Sequence, residues 1–90
     1  MTLNRYAKKR DLVEPEIVDA LVALGCSVSR LDTPVDLLVG YRGQTILMEV
    51  KTGRAPLTKS QRLFVSAWTG GDLAIVRTVS EAIEVIRQTR

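Results

Sequence analysis

Glu49 and Lys51 stand two residues apart at the end of the apolar run Thr45-Ile46-Leu47-Met48-Glu49-Val50-Lys51. Side chains on a strand alternate between faces, so an acid and a base at this spacing share one face, with Met48 and Val50 on the other. Such a pair alone is commonly a weak ion pair on a solvated edge. Asp36 changes the picture. It interrupts a second apolar run, Pro34-Val35-Asp36-Leu37-Leu38-Val39, where a bare carboxylate is expensive to bury unless it is paired or bound to a cation. The glycine-containing loop Gly40-Tyr41-Arg42-Gly43 predicts a hairpin joining the two runs, and pairing about Arg42-Gly43 puts Asp36 opposite about Glu49. Two carboxylates so close repel, and a divalent cation relieves the repulsion. An all-oxygen site suits Mg²⁺ or Mn²⁺. A cation there would polarise a phosphate and lower the pKa of a bound water, with Lys51 facing the same spot to orient or help deprotonate that water.

Composition narrows the alternatives. The 90-residue chain has one cysteine and no histidine. An intramolecular disulfide is therefore impossible, and a structural zinc site lacks its usual ligands. Nucleophilic sites that depend on histidine are excluded too, so acid–base or metal chemistry falls to Asp, Glu and Lys. The net charge of +3 and isoelectric point near 9.4 suit a polyanionic partner without establishing one. Residues 1–10 carry Arg5, Lys8, Lys9 and Arg10 and read as a basic arm, either tracking DNA or simply solubilising the terminus. This polar start is not expected to be a secretory signal. No apolar run approaches the ~18–20 residues of a bilayer span, so no membrane association is expected and a cytoplasmic address is the default.

The elements that must position the three residues follow from periodicity and punctuation. Residues 11–24 predict a helix with Leu12, Val13, Ile17, Val18, Leu21 and Leu24 as its apolar stripe. It begins either with a capping box at Asp11 and Glu14 or at Glu14-Pro15, and it stops at Gly25. Strands are expected at Cys26–Leu31, Val35–Val39, Thr45–Val50 and Leu73–Val76, with Cys26 as a small buried residue. A second helix starts at Thr58, in capping-box spacing with Gln61, carries Leu63, Phe64, Ala67 and Trp68, and ends at Gly70-Gly71; Phe64 and Trp68 are expected in the core. A third helix from Thr78, again in capping-box spacing with Glu81, turns Ala82, Ile83, Val85 and Ile86 inward. The chain thus reads as one α/β domain over residues 1–90, a mixed central sheet flanked by helices in the order α-β-β-β-α-β-α.

An aspartate, a spacer and Glu-x-Lys in this order of elements resemble the PD-(D/E)XK nuclease superfamily, most closely its VRR-NUC branch and the archaeal-type Holliday-junction resolvases. The similar stretch runs from about residue 11 to residue 76. Glu49-Val50-Lys51 matches the motif unchanged, whereas Pro34-Val35-Asp36 has one residue inserted into the usual Pro-Asp pair. The resemblance implies a restriction-endonuclease-like core. It also implies Mg²⁺ ligated by Asp36, Glu49 and the Val50 carbonyl, with Lys51 on the scissile phosphate or the water. It further implies a glutamate from the first helix, Glu14 or failing that Glu16, and a glutamine early in the next helix, Gln61. Glu14 reads equally well as an acid complementing the helix dipole, and Gln61 as the capping-box partner of Thr58. Thr52, Arg54, Lys59 and Arg62 flank the site and could contact phosphates. Tyr41 could touch nucleic acid or a partner subunit. The expected activity is metal-dependent DNA cleavage, on branched DNA such as junctions or flaps, by a homodimer. The rivals are a nucleic-acid-binding or assembly module that does not cut, and a structural domain in which the three charges form an ion-pair network.

Overall fold

A computed structural model describes residues 11–89; the basic arm read at residues 1–10 lies outside them. The element order is the expected one: α1 (Glu14–Ala23), β1 (Ser27–Arg30), β2 (Leu37–Tyr41), β3 (Gln44–Val50), α2 (Lys59–Ala67), β4 (Asp72–Val76) and α3 (Val79–Gln88). The four strands form one mixed sheet in the order β1-β2-β3-β4, with β1–β2 and β2–β3 antiparallel and β3–β4 parallel. The parallel step is the crossover through α2 that a helix between two strands requires.

The hairpin between β2 and β3 sets the register of everything near Glu49. Its two loop residues, Arg42 at φ 50° and Gly43 at φ 80°, are both left-handed, as the tight turn matching strand twist demands. Tyr41 therefore faces Gln44, and the pairing runs on to Leu37 opposite Met48. Leu37, Val39, Ile46, Met48, Val50 and Val76 share one sheet face and are fully buried. Against them pack Ile17 and Leu21 of α1 and Ala82 and Ile86 of α3, closing a single core.

Three expectations are corrected. Leu12 and Leu24 do not belong to the buried stripe of α1; they are 85% and 40% exposed, because the helix runs only from Glu14 to Ala23 and both lie beyond its ends. Its start is the proline-led one: Val13 is the N-cap with no side-chain bond, and Asp11 does not cap the helix by its side chain. At the other end Gly25, at φ 99°, lets the Gly25 and Cys26 amides bond back to the Val22 and Leu21 carbonyls at 3.0 Å each. Phe64 and Trp68 are not core residues either. No residue of α2 is buried, Leu63 is 60% exposed and Trp68 38%. The core face of the sheet is already covered by α1 and α3, and α2 reaches the other face through the Gln61–Glu49 bond. Cys26 is buried as expected, and desolvation pushes its thiol above the usual range.

Trp68 instead closes the turn after α2. Its indole N–H donates to the Gly71 carbonyl at 2.7 Å, and its ring lies where a side chain on Gly70 would be. We expect Gly70→Ala to push the indole off Gly71, costing about 1 kcal/mol, the net worth of one hydrogen bond. Trp68 is the single tryptophan, so a red-shifted, more quenchable emission reports the change directly.

Candidate functional site

Of the charged side chains in the described residues, four are buried: Glu14, Asp36, Glu49 and Lys51. Three of these come from one end of the β2–β3 hairpin. Glu49 is the penultimate residue of β3, on the face opposite Met48 and Val50, and it is 1% exposed. Lys51 follows the strand, held to β4 through its amide and the Val76 carbonyl at 3.0 Å, and is 8% exposed.

Asp36 lies one residue before β2 rather than within it, a small correction with a clear cause. Extending the register of Leu37 with Met48 by one step puts Asp36 across from Glu49, as expected. At that point the Asp36 carboxylate takes over the ladder: its Oδ2 accepts from the Val50 amide at 2.7 Å, and this bond is buried. The Asp36 carbonyl accepts from the Leu31 amide at 2.7 Å. One residue thus ties the end of β1 to the end of β3. Its carboxylate is fixed beside the Glu49-Val50 peptide by this hydrogen bond.

Gln61 combines the two roles read for it. Thr58 Oγ1 accepts from the Gln61 amide at 3.2 Å and Gln61 Oε1 accepts from the Thr58 amide at 2.8 Å, the complete capping box. The remaining end of the same side chain, Nε2, donates to Glu49 Oε2 at 2.7 Å. The start of α2 therefore holds the rotamer of Gln61, and Gln61 holds Glu49.

Glu14 pairs with β1. It is fully buried in the first turn of α1, with its Oε2 3.2 Å from Nε of Arg30, which is itself half-exposed. Glu16, its alternative, is exposed. Among the described residues no group of three or more His, Cys, Asp or Glu side chains is gathered to hold a metal ion. The acidic part of the site is accordingly the Asp36 and Glu49 pair. A two-carboxylate set remains compatible with Mg²⁺, which usually keeps several waters and takes one or two carboxylates plus phosphate oxygens. Lys51 makes no side-chain ion pair or hydrogen bond among the described residues. Beside it, Thr52 Oγ1 is buried and lacks a hydrogen-bond partner among those residues. A nearly buried ammonium and an orphaned hydroxyl at the end of one strand are the chemistry an anionic oxygen would satisfy.

Two residues escaped the sequence reading. Asp11, read as a helix cap, reaches 41 positions along the chain, its Oδ1 accepting from the Thr52 amide at 3.1 Å. Arg77, not singled out at all, donates through Nη1 to the carbonyls of Gly53 at 2.9 Å and Ala55 at 2.8 Å. Together they pin both sides of the loop that follows Lys51. Nothing local signals either contact, since both partners are backbone groups far away in sequence. We expect Arg77→Met to free that loop while leaving the sheet intact: trypsin cuts after the exposed Arg54 several-fold faster, and stability falls by about 1 kcal/mol.

Lys59 and Arg62 are exposed on α2, and Arg54 is exposed in the loop before it. Arg62 also bonds the Leu57 carbonyl at 2.9 Å, and Arg42 lies over the Tyr41 ring with 5.3 Å to its centroid. One cavity of about 350 Å³ adjoins the site, between the turn at residues 32–34 and the start of α2. Another, of about 300 Å³, lies between the start of β4 and the end of α3, away from the carboxylates. Among the described residues no helix is long and apolar enough to cross a membrane. No family model, no curated protein and no solved structure matches the chain.

Proposed function

We propose that this chain is a divalent-metal-dependent nuclease that hydrolyses phosphodiester bonds in DNA, of the PD-(D/E)XK kind and closest to its VRR-NUC branch. The observation that carries the reading is the buried Asp36 carboxylate, held by the Val50 amide at 2.7 Å, with Glu49 across the hairpin and the nearly buried Lys51 at the strand's end. Burying two acids and a base at the same edge costs stability, which a bound cation and a phosphate would help to offset. Lys51 makes no side-chain ion pair or hydrogen bond among the described residues.

In this reading Asp36, Glu49 and the Val50 carbonyl hold Mg²⁺, with Mn²⁺ as a substitute. When bound, the cation supplies Lewis-acid polarisation of the phosphate and a lowered pKa for water. The chain's own groups do the rest. The Val50 amide holds the Asp36 carboxylate through Oδ2, and Gln61 fixes Glu49 through Oε2. The Lys51 ammonium contacts a non-bridging phosphate oxygen and offsets the negative charge that builds as water attacks. Thr52 Oγ1 can donate to a neighbouring phosphate oxygen, and Lys59 and Arg62 neutralise flanking phosphates. Glu14, paired with Arg30, supports the first helix against β1 and is assigned no ligand role. The second sheet face, where Leu38, Leu47 and Leu73 align in register and Leu38 and Ile75 remain over a third exposed, supports a homodimer. Two sites related by a two-fold axis suit two strands of a branched DNA.

The test is incubation of the wild-type protein with duplex, flap and four-way-junction DNA under Mg²⁺, Mn²⁺ or EDTA. Metal-dependent products support the nuclease; binding without cutting in every metal favours a non-cleaving module.

A further inference from the structure

The cavity beside the site is not explained by metal or phosphate chemistry. It measures about 350 Å³, within the usual range for small-molecule sites, and is walled by Asp32, Pro34, Thr58, Ser60, Gln61 and Phe64. Its Gln61 wall is the residue that bonds Glu49 at 2.7 Å, so whatever fills the cavity lies immediately next to the proposed scissile phosphate. The walls are those of a base rather than a phosphate. Phe64 is only partly buried and stands in tilted ring contact with Trp68, centroids 5.4 Å apart, which gives an aromatic wall continuing toward the exposed end of α2. Pro34 supplies a second apolar surface, and Thr58 and Ser60 supply hydroxyls. The cations sit outside the cavity, on Lys59 and Arg62 of α2, where a sugar–phosphate backbone would run.

We infer that this cavity receives an unpaired nucleobase adjacent to the cleaved phosphodiester, stacked on Phe64, so that the protein prefers DNA with an unstacked nucleotide at the cut. A base inside a continuous duplex is held by its own stack and cannot enter without flipping. A base at a flap, gap or branch point is already free, and aromatic stacking accepts it without regard to sequence. This rests on the nuclease reading for the position of the cut, while the binding of the base is measurable without any cutting.

The probe is a short single-stranded oligonucleotide with 2-aminopurine at its centre, titrated with wild-type protein in EDTA. We expect quenching of 2-aminopurine on binding. Phe64→Ala reduces that quenching and weakens binding about ten-fold, the scale of one lost base–aromatic stack. Phe64→Trp retains both. Because no residue of α2 is buried, Phe64→Ala should fold normally; Ser60→Leu, which fills the cavity with an aliphatic side chain without removing any packing, provides the second variant and should also abolish the quench. Where cutting is measured, Phe64→Ala raises KM for flap DNA and leaves kcat near that of wild type. Quenching and affinity identical in wild type, Phe64→Ala and Ser60→Leu overturn the subsite even if the protein cuts. Phe64-dependent quenching by a protein that cuts nothing overturns the nuclease reading and leaves the subsite standing.

Discussion

Asp36→Asn will leave the protein folded and reduce metal-dependent cleavage by about three orders of magnitude, the scale of losing one well-placed charged group from a polar transition state. The substitution is chosen for the bond Asp36 makes. An asparagine oxygen can still accept from the Val50 amide, so the 2.7 Å link that ends the β2–β3 ladder survives while the charge goes. Asp36→Ala differs: it orphans a buried N–H, at about 1–3 kcal/mol. In a domain whose whole stability is only about 0.05–0.15 kcal/mol per residue, that is a large share. The pair of variants separates charge from structure. A second readout needs no substrate: if Asp36 and Glu49 hold a cation, saturating Mg²⁺ raises the melting temperature of the wild type and not that of Asp36→Asn. A structural role alone predicts no metal effect in either protein.

Lys51→Met will lower cleavage by about 10²–10³-fold and yet be at least as stable as the wild type, with a gain of up to about 1 kcal/mol. Lys51 is 8% exposed and makes no ion pair among the described residues. Methionine keeps most of its aliphatic stem and discards an ammonium that is costly to desolvate. This is the sign a functional residue gives: activity falls while stability holds or rises. The ion-pair-network reading predicts the reverse, because removing one member of a buried network leaves the others uncompensated and costs several kcal/mol. Equilibrium urea unfolding of the two proteins, beside the cleavage assay, separates the two by sign alone.

Much of this architecture is visible in the residues, and the reasons differ from element to element. Arg42-Gly43 between two apolar runs announces a hairpin, and a two-residue turn leaves one register; Asp36 opposite Glu49 follows from counting outward from the turn. Thr58 and Gln61 predict the start of α2 because capping is a local affair of three residues. Gly25 ends α1 for the same kind of reason. What failed was the partnering of faces. The pattern of Leu63, Phe64 and Trp68 says that α2 has an apolar side, but not that α1 and α3 already occupy the core face of the sheet. Periodicity likewise extended α1 to Leu12 and Leu24, since it detects a stripe and not the point at which the backbone leaves the helix. Glu14 illustrates a further limit. Its burial could be anticipated from its place among apolar residues, but Arg30 as its partner could not, because that contact depends on how α1 lies across β1. Asp11 and Arg77 bind backbone groups of a loop, and backbone groups carry no residue-type signal.

The proposed site is therefore legible where it rests on one hairpin and one helix cap, and less so where it depends on tertiary packing. Glu49, Lys51, Asp36 and Gln61 belong to the first kind and are brought to one edge. The central claim is that this edge cuts DNA with a metal. The most direct measurement is the wild-type protein on a labelled flap or four-way junction with Mg²⁺, alongside EDTA and the folded Asp36→Asn protein. The account predicts discrete cleavage products with Mg²⁺, none with EDTA, and at least a hundredfold fewer with Asp36→Asn. Bound but uncut DNA with both Mg²⁺ and Mn²⁺, or equal cutting by Asp36→Asn, would contradict it.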